Sequence, residues 1–201
     1  MLFELYWVVQ LIKHNSENAE LRLIDGRDNL VASWSDVENT YYLYHDSTGS
    51  NQIHFHIAVD EMKEYKHPFI DRKVESMNLA VKMANETFGR GFDTTTLWSG
   101  RPDIIVEVYD NESGSLKKVY LGEVKYTTSV DYTITGLREL VDYMVLVKDN
   151  YNKFLLDQEQ VEAYGLLFSD CKLENSIGVA NLLKLDDFLD EKKVRFITMN
   201  H

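Results

Sequence analysis

The chain has 201 residues, enough for one domain with a sizeable core, and its 44% hydrophobic and 27% charged residues are those of an ordinary globular protein. Its 21 basic residues against 33 acidic ones give a net charge of −12. That balance, with no Lys/Arg-rich run, weighs against a free-standing, tight nucleic-acid binder, so any such contact must be local, metal-assisted or supplied by a partner or another domain.

No apolar run is long enough to span a bilayer, and no basic start with a small-residue cleavage site is present, so no membrane partner is expected. The single cysteine, Cys171, cannot form an internal disulfide, and a reducing cytoplasm is the expected compartment. Cys171 itself reads as a small filler residue.

Residues 2–14 (LFELYWVVQLIKH) predict a helix that is apolar nearly all round and therefore buried. Glu4 is its only acid and shares a face with Trp7, Val8 and Leu11, where it needs a partner, a proton or a metal. A short strand is expected over 21–24. Over 40–59, TYYLYHD and QIHFHIAV flank the turn-like STGSN and predict a β-hairpin, inserted within a single domain spanning 1–201. Val74, Met77, Val81, Ala84 and Phe88 recur at helical spacing and predict a helix over 71–88, with Gly89 at its stop.

A second hairpin follows, with strands at 103–109 (DIIVEVY) and 118–126 (KVYLGEVKY) joined across NESGS. A helix over 136–148, a strand over 163–168, a short amphipathic helix around 183–189 and a strand over 194–198 complete the chain. This order predicts an α/β fold: a mixed central sheet flanked by helices.

The stretch RPDIIVEVYDNESGSLKKVYLGEVKYT, residues 101–127, carries the chemistry. Glu123 and Lys125 are two apart, so both side chains leave one face of their strand. If NESGS is a five-residue loop, Asp110 pairs with Leu116, and counting back sets Asp103 opposite Glu123. Opposed residues share a face, with Cβ atoms about 4.5–5.5 Å apart. A four- or six-residue loop would turn Asp103 to the wrong face unless a bulge intervened. Two carboxylates and a lysine on one face suit metal-assisted phosphodiester hydrolysis: a hard divalent ion polarises the phosphate and acidifies a water, and a cation balances developing charge. Val119 and Leu121 on that face, with Tyr120, Gly122 and Val124 on the other, mark a central strand covered on both sides.

With Pro102–Asp103 followed by Glu123–Val124–Lys125 on a hydrophobic strand that leads into a helix, the chain resembles the PD-(D/E)XK nuclease superfamily. The resemblance implies a restriction-endonuclease-like fold and Mg2+ or Mn2+ held by Asp103, Glu123 and the Val124 carbonyl. It implies Lys125 assisting the attacking water, Glu4 completing the site from the first helix, and DNA as the substrate. Arg138, on the helix after the motif, and Arg101 are the candidate substrate contacts. The opening FELYWVVQLI is similar to the helix that leads restriction-type nuclease domains working beside a nucleotide-driven motor subunit, so a motor or DNA-binding partner is a further expectation.

Other readings compete. The three charges could form a cross-strand ion pair on an exposed hairpin of a binding module, or the fold could be a catalytically silent assembly or docking subunit, which the acidic composition favours. His54 and His56, with His45 nearby, could approach a metal, but no carboxylate or cysteine joins them at ligand spacing and a polar sheet face accounts for them. Tyr41, Tyr42 and Tyr44 could stack on bases, but on a strand they read first as packing residues. The acidic run 186–191 reads as a solvated helix face.

Overall fold

The computed structural model describes residues 2–22, 29–62, 66–89, 96–172 and 193–199. The predicted helix at 183–189 and the acidic run 186–191 lie outside these residues. The chain divides into two compact units, Met1–His54 with Arg101–His201, and Phe55–Gly100.

In the first unit, the strands β1 (Glu20–Leu21), β2 (Leu30–Ser35) and β3 (Asn39–His45) are joined in one sheet by β7 (Ile104–Asp110), β8 (Leu116–Lys125), β10 (Glu162–Ser169) and β11 (Val194–Thr198). The seven strands lie in the order β1-β2-β3-β7-β8-β10-β11, with β8, β10 and β11 parallel and the other neighbours antiparallel. The mixed α/β sheet expected from the element order is therefore present. Two helices belong to this unit, α1 (Leu2–Asn15) and α3 (Val130–Leu146).

The strand periodicity decides which side chains meet which helix. Ile104, Val106, Tyr120, Val124, Leu166 and Phe168 share one face and form a single buried cluster with Trp7, Val8 and Leu11 of α1. Trp7 is fully buried, its ring 4.8 Å from that of Phe168. The opposite face carries Ile105, Val119, Leu121 and Leu167, all fully buried, and α3 lays Leu140 and Met144 against Gly165 there. The nearly all-round apolar character of α1 is only partly used, since Leu2 and Val9 are exposed.

Two sequence expectations need correction. The run 40–59 is not a hairpin: β3 pairs with β2 and β7, β4 (Ile53–His54) pairs with β9 (Lys148–Asp149), and β5 (His56–Ala58) pairs with β6 (Thr96–Ser99). The true hairpin partner of β3 is LVASWS, whose small and polar residues weaken its strand pattern. What closes that hairpin is local. Asp36 accepts from the backbone N–H groups of Glu38 and Asn39 and from the Tyr41 hydroxyl, and Trp34 stacks on Tyr41 at 5.2 Å. Second, α3 begins at Val130 rather than 136, because Ser129 caps it by accepting from Tyr132 N–H, and it ends before Lys148.

The β7–β8 turn reaches the expected register by another route. Asp110 N–H donates to the Ser115 carbonyl, which leaves a four-residue loop with Gly114 at φ 67°. The Asp110 carboxylate accepts from the Ser113 backbone and hydroxyl and pairs with Lys117, which holds its pKa down to about 2. A bulge then leaves Lys117 unpaired between Tyr109↔Leu116 and Val108↔Lys118. The extra residue restores the parity that a four-residue loop would lose, and Ile104 faces Gly122.

Gly122 sits at that junction. A Cβ there would lie 2.9 Å from Ile104 Cβ and 3.2 Å from the Phe168 ring. Neither atom is the end of a flexible chain, so Gly122→Ala is expected to cost about 1–3 kcal/mol by overpacking, read as a lower midpoint in urea at unchanged slope.

The second unit holds the β5–β6 pair and α2 (Pro68–Phe88), which starts with Pro68 after the His67 cap and stops at Gly89, in the left-handed conformation at φ 65°. The predicted stripe of α2 is half-buried at Val74, Met77, Val81 and Ala84, and Phe88 is exposed.

Candidate active site

The ends of β7 and β8 bring Asp103, Glu123 and Lys125 together. Continuing the register one place beyond Ile104↔Gly122 sets Asp103 opposite Glu123. Asp103 Oδ2 accepts from Val124 N–H at 2.7 Å. Its backbone carbonyl accepts from Asp46 N–H at 2.8 Å, which fixes the residue at the strand mouth. Pro102, just before it, has no N–H to offer a neighbouring strand. The proline therefore opens the ladder at the point where the aspartate enters.

Glu123 is buried, and Lys125 Nζ donates to its Oε1 at 2.5 Å. The same ammonium lies 2.6 Å from Glu139 Oε2 of α3. Three residues of α3 at helical spacing meet Lys125 on this side: Tyr132, whose ring lies beneath Nζ at 5.7 Å, Gly136, packed on the aliphatic stem, and Glu139. A Cβ at position 136 would sit 2.6 Å from Lys125 Cγ, so the absence of a side chain there lets the helix approach the lysine. Tyr143, one turn on, feels the charge of Glu123 and Glu139, and burial with those charges pushes its pKa up to about 12.

Two carboxylates thus hold one ammonium, and the charge of a third, Asp103, is felt beside them. Burial, then the charge of Asp103, push the Glu123 carboxyl up to about 8, against the opposing effect of Lys125. Asp103 is raised as well, by burial and by Glu4 and Asp46, although the Val124 hydrogen bond works the other way. Lys125 is raised by its two carboxylate partners, which outweigh burial. The Glu123 and Asp103 carboxyls are thus both shifted toward holding a proton, and their titration belongs to the group as a whole.

The remaining sequence candidates fall at different distances from this centre. Glu4 comes from the opposite layer, yet its charge is felt at Asp103, and its Oε2 lies 3.1 Å from Nε2 of the buried His45. It also lines an open cleft of about 700 Å3 beside Val124, Tyr126 and Asp170. Arg101 is exposed and holds Asp46, through its carboxylate at 2.9 Å and through two bonds to its carbonyl. Arg138 is exposed on α3 and does not join the cluster; the polar group that α3 brings is its neighbour Glu139. The three histidines do not converge: His45 meets Glu4, His54 lies in β4, and His56 bonds Thr96.

The oxygen-only donor set of Asp103, Glu123 and the Val124 carbonyl matches what magnesium takes, one or two carboxylates with water and substrate oxygens filling the rest. Among the described residues no three His, Cys, Asp or Glu side chains form a ready-made chelate. Compared with protein-family models, with curated proteins and with solved structures, the chain finds no match in any of the three.

Proposed function

We propose that the chain is a metal-dependent phosphodiesterase of the PD-(D/E)XK type that acts on nucleic acid, DNA by preference. The observation that carries the reading is the meeting of Asp103, Glu123 and Lys125 at one strand mouth, with Asp103 bonded to Val124 N–H and Lys125 to Glu123. In this reading Asp103, Glu123 and the Val124 carbonyl hold Mg2+ or Mn2+, which would supply Lewis acidity and an acidified water. Lys125 orients the attacking water and offsets charge on the phosphorane-like transition state. Glu139 keeps Lys125 protonated and aimed, and Glu4, tied to His45, shapes the rim.

A second reading is a docking subunit without catalysis, beside a motor or DNA-binding partner. The observation that favours it is the closure of Lys125 between Glu123 and Glu139, which engages the lysine in the absence of substrate, together with the net charge of −12.

Calorimetric titration of Mg2+ and Mn2+, paired with incubation of linear and nicked DNA, separates the two. The catalytic reading expects metal binding that Asp103→Asn removes, and cleavage that needs the metal. Intact DNA under both ions, with the protein pure and folded, would sink it.

A further inference from the structure

On the sheet face that carries Asp103 and Glu123, a second concavity of about 480 Å3 opens further along β3 and β7. Tyr42 pairs with Glu107, and Glu107 with Val119, so Tyr42, Tyr109 and the catalytic pair all leave the same face. The wall is made of Tyr42, Tyr109, Asn51, Gln52 and Arg22.

Its two rings are set differently. Tyr109 is fixed: its hydroxyl donates to Glu107 Oε2 at 2.5 Å and lies 3.1 Å from Ser50 Oγ, and Ser50 N–H also reaches Glu107. Tyr42 meets it edge-on, centroids 5.6 Å apart at 81°, and is half-buried, with its hydroxyl free of hydrogen bonds among the described residues. Among those residues the Arg22 guanidinium likewise has no ion-pair partner. A locked ring, an open ring beside it, two planar amides and an exposed guanidinium form a surface suited to a flat, hydrogen-bonding heterocycle.

We infer that this concavity seats an unpaired nucleobase of a single-stranded segment, and that the protein takes its substrate by base stacking more than by the phosphate backbone. The inference rests on the phosphodiesterase reading for the class of ligand. Stacking needs no basic surface, which a chain of net charge −12 lacks, and every base offers a π-face. Four residue steps lead from Glu107 to Asp103, or about 13 Å at 3.3 Å per residue, so a strand seated here continues to the metal-binding carboxylates within a few nucleotides.

The test is fluorescence anisotropy of labelled 12-mers in EDTA, where nothing is cut: oligodeoxyuridylate, oligouridylate and a 12-base-pair duplex. Single strands are expected to bind at least tenfold more tightly than the duplex. Tyr42→Ala is expected to weaken single-strand binding by about tenfold or more, Tyr42→Phe to restore it, and Arg22→Gln to weaken it further. A preference between the two single strands assigns the sugar, with the base pocket unchanged. Equal affinity for duplex and single strand, no binding by the wild type, or a Tyr42→Ala protein of native circular dichroism that binds normally would each overturn the inference. Cleavage by the wild type, measured separately with Mg2+, reports on the catalytic reading alone.

Discussion

Glu123→Gln is expected to reduce metal-dependent cleavage by about 10²–10³ or more while leaving the fold intact. Glutamine keeps the shape of a side chain that lies between Leu121 and Lys125 on a buried face, and it removes a charge that burial disfavours. Lys125→Met should lose as much activity for a different reason and with a different stability signature. Methionine leaves Asp103, Glu123 and Glu139 facing one another without a cation, and breaking a buried pair by removing one partner costs about 3–5 kcal/mol, less where a carboxyl can take up a proton instead. Adding Glu139→Gln to Lys125→Met should then recover part of the stability and none of the cleavage. Urea midpoints and cleavage rates for the four proteins, wild type included, check this. Cleavage by pure Glu123→Gln at the wild-type rate would remove Glu123 from the chemistry, and a Lys125→Met protein as stable as wild type would show that the ammonium does not balance the carboxylates.

Why the site was legible and parts of its surroundings were not follows from the range of the forces involved. The spacing of Glu123 and Lys125 is strand geometry, and the opposition of Asp103 needs only a register count, so two local rules reach the centre of the site. The count came out right although the loop has four residues instead of five, because the Lys117 bulge supplies the missing one. A bulge has no signature in the sequence beyond the lysine pair itself, so the correct register concealed an incorrect turn. Glu139 was missed because its role depends on how α3 docks. Arg138 and Glu139 are neighbours on a helix, about 100° apart, and only the contact of Gly136 with the Lys125 stem decides which of them meets the lysine. Gly136 was the readable signal: a glycine within an amphipathic helix costs about 1 kcal/mol against alanine and asks for a packing reason.

The misread segment 40–59 shows the same limit at the level of topology. Strand propensity marked both of its halves correctly as extended. Propensity does not name a partner, and β3 finds two long antiparallel neighbours in β2 and β7 while β4 and β5 leave for separate short pairs. The tyrosines of β3 then divide by parity: Tyr41 stacks on Trp34 in the core, and Tyr42 opens to the opposite face. With the inferred base pocket, a packing role and a binding role fall on adjacent residues of one strand.

The protons held by the cluster make the second large effect a matter of pH and metal together. Glu123 titrates from an ordinary 4.5 to about 8 in the folded chain, so between these values the native state binds more protons than the unfolded one. Stability therefore falls as pH rises through that window, by an amount on the order of a few kcal/mol, with the full contribution present below about 4.5 and lost above about 8. A divalent ion reverses the preference, because it needs the carboxylate: binding expels the proton, its affinity rises about tenfold per pH unit up to about 8, and it levels off above. At an ion concentration 100 times Kd the gain is about 2.7 kcal/mol, worth roughly 5–10 °C in Tm for a chain of this length. Thermal melts from pH 5.5 to 9 are thus expected to show metal-free and Mn2+-loaded curves that nearly coincide in acid and part progressively toward pH 8.5. In Glu123→Gln the metal-free curve should lose its slope and the gap should close. A gap that is constant with pH, or that persists in the variant, would place the ion elsewhere than on Glu123.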